Sequence, residues 1–121
     1  MTLNSQNSEL DEVSMTDCWK CIVASQSGSS EKIMTECGII AQKDDGSIGG
    51  KIAQLIIAKE DLNNGKHAKT LETLKTIDFA PTFLQTIVLG LKGDCHSELQ
   101  NYKKATEFYE KAALIEDNTY F

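Results

Sequence analysis

An all-α fold, arranged as a stack of about three antiparallel helical hairpins over residues 16–121, is what this sequence predicts. Apolar residues recur at three- and four-residue spacing rather than in alternation. A segment near residue 105 is answered by a weaker copy 35 residues earlier, and a fixed period in the mid-thirties is the signature of stacked hairpins. A single proline, Pro81, and few aromatic residues leave little that reads as strand.

Residues 1–15 form an acidic tail, polar and rich in Ser and Asn at its start, in which little order is expected. A first helix begins near Ser8 or Thr16 and carries Trp19, Ile22 and Val23 inward. After a Ser25–Ser30 loop, Ser30 is placed to cap a helix whose Ile33, Met34, Cys37, Ile40 and Ala41 trace one face, closing a degenerate hairpin over 16–43. Asp44–Gly50 breaks the chain. Ile52, Leu55, Ile56 and Leu62 then mark a helix that Asn64-Gly65 stops, and Leu71 and Leu74 supply the stripe of its partner, a hairpin over 50–78. Pro81 opens the last hairpin, 81–116. Its first helix carries Leu84, Ile87, Val88, Leu91, Cys95 and Leu99, and its second runs from about Tyr102 to Glu116.

The repeat is sharpest at its small residues. Leu89, Gly93 and His96 stand at the large, small and aromatic places of the spacing W-x-x-L-G-x-x-Y, and Ala105, Tyr109 and Ala112 continue with small, aromatic and small. Two helices approach closely only where Gly or Ala faces a bulky partner, which is why small and large alternate along a contact line. One period upstream, Ala58 answers Gly93, Gly65 answers Gln100, His67 answers Tyr102, Thr70 answers Ala105 and Leu74 answers Tyr109. The pattern resembles the tetratricopeptide repeat family, with departures at Lys92, where Leu is usual, and Asp117, where Pro is usual. Within that family, Ile39-Ile40, Gly46-Ser47, Gly50, Ala53, Gly65, the run Gly90-Leu91-Lys92-Gly93-Asp94 and Ser97-Glu98-Leu99 resemble the soluble domain of bacterial YfgM-like tetratricopeptide proteins. That resemblance covers residues 39–121. It implies a membrane-anchored protein associated with the SecYEG translocon that works beside periplasmic chaperones on exported proteins.

Charge narrows the partners. Residues 1–17 hold Glu9, Asp11, Glu12 and Asp17 and no Lys, whereas the remaining chain sets fourteen acids against twelve lysines. Arginine is absent, so the planar bidentate donor favoured for phosphate and base-edge recognition is missing, and with a net charge of −6 no nucleic-acid partner is expected. No stretch approaches the ~18 continuous apolar residues of a membrane span, and the first residues are acidic rather than basic then apolar. As written the chain reads as cytoplasmic; the periplasmic soluble part of an anchored protein is the alternative.

Three patterns that carry chemistry elsewhere are weak here. Cys18 and Cys21 form a C-x-x-C, but no strand precedes them as in a redox motif, and Cys37 and Cys95 sit singly on apolar faces. Four reduced, packed thiols are expected, with a thiol-based metal or redox protein as the rival class. Gly46–Lys51 lacks the spacing and hydroxyl of a phosphate loop and reads as an interhelical turn. His67 and His96 read as structural histidines at aromatic positions. No catalytic residue, cofactor or metal is expected, so the chain reads as a non-enzymatic interaction module.

Projecting the repeat onto its first helices puts Leu55, Lys59, Leu62 and Asn63, then Gly90, Asp94, Ser97 and Glu98, on a concave groove, with Ile52 and Ile87 beside them. The family members that hold chaperone C-termini grip a carboxylate there with Lys, Asn and Arg. Leu55 and Gly90 stand where that clamp wants Lys, and Lys59 and Asp94 where it wants Asn. A neutral or basic peptide or helix is therefore the expected partner. A translocon-associated, chaperone-like role and a secretion chaperone are alternative readings. With no helix after residues 102–116, Phe108, Ile115, Tyr120 and Phe121 form an expected self-association face, making a homo-oligomer through the C-terminal hairpin.

Overall fold

The computed structural model describes residues 18–43, 46–79 and 82–119, with side chains through residue 115. All regular structure among them is helical. Helix α1 is described over 18–27, followed by α2 (Ser30–Lys43), α3 (Ile48–Asn63), α4 (His67–Lys75), α5 (Phe83–Glu98) and α6 (Tyr102–Thr119). Residues up to Glu60 form one compact unit and those from Asp61 another, so the last turn of α3 belongs with the second.

In the first unit, α1 buries Cys18, Cys21 and Ala24, three residues apart along one stripe, and α2 buries Ile33, Cys37 and Ile40. Cys21, Ala24, Ile33, Cys37, Ile40 and Ala53 make one core, with Ala41, Ile56 and Ile57 packed against it. The Cys18–Cys21–Ala24 stripe turns the expected inward face of α1 around: Trp19 is 64% exposed and Val23 44%. Small side chains on the facing stripe allow close approach, and a covalent bond fixes it, because Cys21 and Cys37 form a disulfide with Cα atoms 4.7 Å apart. The expectation of four reduced thiols is corrected accordingly; Cys18 and Cys95 are the free, buried cysteines.

Helix starts follow local hydrogen bonding. Ser29, one residue before the expected cap, accepts from the Lys32 N–H at 3.3 Å, and Ser47 Oγ accepts from the Gly50 N–H at 3.0 Å. The Ser47 cap starts α3 at Ile48, so Gly49 and Gly50 are helical and the break after α2 is shorter than expected. Pro81 lies outside the described residues; Thr82, extended at ψ 173°, precedes α5.

The second unit repeats its turns at the expected period. Asp61–Lys66 and His96–Asn101 carry the same bonds one period apart: the Lys66 N–H to the Asp61 carbonyl at 2.8 Å, and the Asn101 N–H to the His96 carbonyl at 2.7 Å. The Gly65 and Gln100 N–H groups likewise donate to the Leu62 and Ser97 carbonyls, both at 3.0 Å. Gly65 and Gln100 have φ of 80° and 63°, the left-handed conformation that ends a helix. Thr70 and Ala105, the paired small positions, are both buried, as is Leu74. Helix α5 packs on α4 and, most extensively, on α6. Contacts of His96 with Phe108 and of Gly93 with Tyr109 run outward from the turn, so α5 and α6 are antiparallel.

Candidate functional site

The end of α3, the Gly65 turn, the start of α4 and the end of α5 enclose an open cleft of about 530 Å³ in the second unit. Leu62 and Asn63 border one side, Asp94, Ser97 and Glu98 the other, with Gly65 and His67 between them. The two left-handed turns place these walls, since each ends a helix within three residues of a lining side chain.

Asp94 is the best-fixed group of the cleft. Its Oδ1 accepts a hydrogen bond from the Tyr109 hydroxyl at 2.6 Å. Donating that bond to the carboxylate, together with burial and the nearby negative charge, holds Tyr109 in its neutral form, and its ionisation is pushed up to about 12. Among the described residues the cleft thus presents two carboxylates, Asp94 and Glu98, with the His67 imidazole as the sole lining group able to carry a positive charge. Cationic and hydrogen-bond-donating ligands fit that chemistry; anionic ones are repelled.

Five groove residues expected from sequence, Leu62, Asn63, Asp94, Ser97 and Glu98, are thus brought together. Lys59 is exposed on α3 in the first unit, and Gly90 is half-buried on α5 outside the cleft lining. Leu55 departs from its assignment: it is 7% exposed, part of the packed side of α3, and cannot contact a partner. Of the self-association residues, Phe108 is half-buried, its ring stacked on His96 with centroids 5.4 Å apart and the Lys92 and Lys111 ammonium groups 5.7 and 5.3 Å from its centroid. Ile115 is half-buried, and Tyr120 and Phe121 lie outside the described residues.

Two buried polar groups stand one period apart at the repeat's aromatic position. Asp61 is fully buried, both carboxylate oxygens lacking hydrogen bonds and its Oδ2 4.0 Å from the Lys69 Nζ; the Nδ1 of His96 is buried and also lacks a partner. His96 therefore departs from the expected satisfied histidine. Burial lowers its proton affinity, and Lys104 and Lys75 lower it further. Sequence reasoning also missed the lysines around Phe108, whose only linear signal was Lys92 in place of an apolar residue.

Among the described residues no group of three His, Cys, Asp or Glu side chains is placed to hold a metal ion, and no helix is long and apolar enough to cross a membrane. Compared with known proteins, the chain matches no family model, no curated protein and no solved structure.

Proposed function

We propose that this chain is a non-enzymatic, tetratricopeptide-like interaction module that holds a basic segment of a protein partner in the cleft between the Gly65 turn and the end of α5. The carrying observation is the convergence of Asp94 and Glu98 with Leu62, Asn63 and Ser97 around one open cleft of about 530 Å³. A cleft of that size accommodates two or three side chains, with Leu62 offering apolar contact and the carboxylates selecting Lys or Arg. The turn pattern repeated at 35 residues supports the family reading. Selection from a displayed library of random peptides tests it: bound peptides should be enriched in Lys or Arg and lose about tenfold in affinity against Asp94→Asn/Glu98→Gln. Enrichment of acidic peptides, or indifference to the double variant, would overturn it.

The Cys21–Cys37 disulfide favours a second reading of the setting. Disulfides persist in oxidising compartments, so the same module fits the periplasmic, chaperone-like role on exported proteins better than a cytoplasmic one. Self-association through α6 belongs to the proposal as well, since Leu114 is 62% exposed beside half-buried Ile115. Sedimentation of wild type beside Leu114→Glu tests it, and a monomer at every concentration would remove it.

A further inference from the structure

The opposite charge gathers elsewhere in the second unit. A separate pocket of about 240 Å³ opens where α4, α5 and α6 meet, and three lysines, one from each helix, line it: Lys75, Lys92 and Lys104. His96, Phe108 and Leu71 complete its inner wall, and among the described residues Glu107 is the one carboxylate on its border. Such a gathering is unexpected in a chain of net charge −6. Nor is it relaxed: Lys92 is pulled below its ordinary proton affinity by burial and by Lys111 and Lys75, against which Asp78 acts in the other direction. The cations repel one another, and His96 faces the same field with a buried Nδ1 that has no hydrogen-bond partner.

We propose that this pocket is a binding site for a phosphomonoester dianion carried on a small apolar body. Three observations select that chemistry. Three ammonium groups can supply donors to all three terminal phosphate oxygens, whereas a single carboxylate would offset one lysine and leave the others in mutual repulsion. Lysine binds phosphate as a compact point charge, and so needs none of the bidentate geometry by which arginine recognises a planar carboxylate. The wall formed by Leu71 and Phe108 gives the ester's carbon skeleton apolar contact, and the volume limits the ligand to one such group. A nucleic-acid strand is disfavoured, because the cations form a single pocket rather than a stripe. A soluble ester and a lipid headgroup both supply the same dianion.

Phenyl phosphate is the probe, titrated into the whole chain at pH 7.5 with amide chemical shifts as readout. Saturable shifts should centre on residues of α4, α5 and α6 around the pocket. Lys92→Gln and Lys104→Gln should each weaken binding about fivefold or more while leaving the helical spectrum unchanged. Lys103→Gln, an exposed neighbour that does not line the pocket, should leave binding unchanged. Benzoate should bind more weakly than phenyl phosphate. Co-sedimentation with phosphatidylcholine vesicles containing phosphatidic acid identifies the source: lysine-dependent sedimentation assigns a lipid headgroup, and its absence beside lysine-dependent phenyl phosphate binding assigns a soluble ester. Failure of both probes to bind, an equal loss in Lys103→Gln, or benzoate binding as tightly as phenyl phosphate would overturn the proposal.

Discussion

Tyr109 occupies the space that a side chain at Gly93 would need: a Cβ there would lie 2.5 Å from the ring's Cε1, while the same residue's hydroxyl donates to Asp94 one position further along α5. The contact between α5 and α6 and the geometry of the cleft are therefore set by one ring.

Replacing Gly93 by Ala has two opposed effects. Alanine favours the helix by ~1 kcal/mol over glycine, and overpacking against the ring costs ~1–3 kcal/mol. The ring is 41% exposed and can swing outward, but only by giving up its bond to Asp94. Gly93→Ala should thus be neutral to destabilising by about 2 kcal/mol in the wild type, and stabilising in a Tyr109→Ala background. Denaturant unfolding of the four proteins measures the coupling; equal effects in both backgrounds would show that the ring does not fill this space.

The Tyr109–Asp94 bond also sets a pH dependence. The folded state holds the phenol neutral, with ionisation raised from 10.0 to about 12, so the unfolded chain ionises first as pH rises. The bond's contribution to stability is complete below about pH 10 and is lost between there and about pH 12. Ultraviolet titration of tyrosinate should show one late-titrating tyrosine that Tyr109→Phe removes and Asp94→Asn returns to the ordinary range. Ionisation of every tyrosine near pH 10 would contradict the bond.

The disulfide gives a third expectation. Its cysteines are 16 residues apart, and closing a loop of that size contributes ~3 kcal/mol by restricting the unfolded chain. Reduction, or Cys21→Ser, should lower the melting temperature by several degrees, whereas Cys18→Ser should change it less. Trypsin separates the cysteines after Lys20, Lys32 and Lys43, so nonreducing mass spectrometry should find the peptides of residues 21–32 and 33–43 joined. Burial raises the thiol ionisation of Cys18 and takes that of Cys95 to about 11, and both should alkylate slowly at pH 8 in the folded protein. Linkage of Cys18 to Cys21 would reverse the assignment.

What the sequence revealed and concealed follows from the range of each interaction. The helices, the stop at Gly65 and the buried Thr70 and Ala105 rest on periodic, local chemistry, and these were legible. The orientation of α1 was not: Trp19 and Val23 have the larger apolar surfaces, but the small stripe of Cys18, Cys21 and Ala24 packs closely and is tied by the disulfide. The four cysteines read as reduced thiols because no local spacing announces a bond that joins Cys21 to Cys37 on a different helix. Leu55 shows the limit of projecting a repeat, since a shift of one position around a helix moves a side chain by about 100° and turns a groove residue into a core residue. The lysine pocket gathers residues spread over three helices, and no linear pattern announces it.

The paired left-handed turns permit a reciprocal test. Gln100 holds φ at 63°, where a residue with a Cβ is strained by ~1–2 kcal/mol and glycine is not. Its counterpart one period earlier is already glycine, Gly65, at φ 80°, with open space where a Cβ would stand. The difference between the positions is therefore backbone strain rather than crowding at Gly65. Gln100→Gly should stabilise the protein by about 1 kcal/mol, offset in part by the greater freedom glycine gives the unfolded chain. Gly65→Ala should destabilise it by about 1 kcal/mol, because alanine must enter the left-handed region without a clash to relieve. Neither residue lies in a helix interior, so helix propensity does not enter. Thermal and denaturant unfolding of both variants should move in opposite directions. A loss of stability in Gln100→Gly would mean that the glutamine side chain contributes more to this turn than its backbone costs.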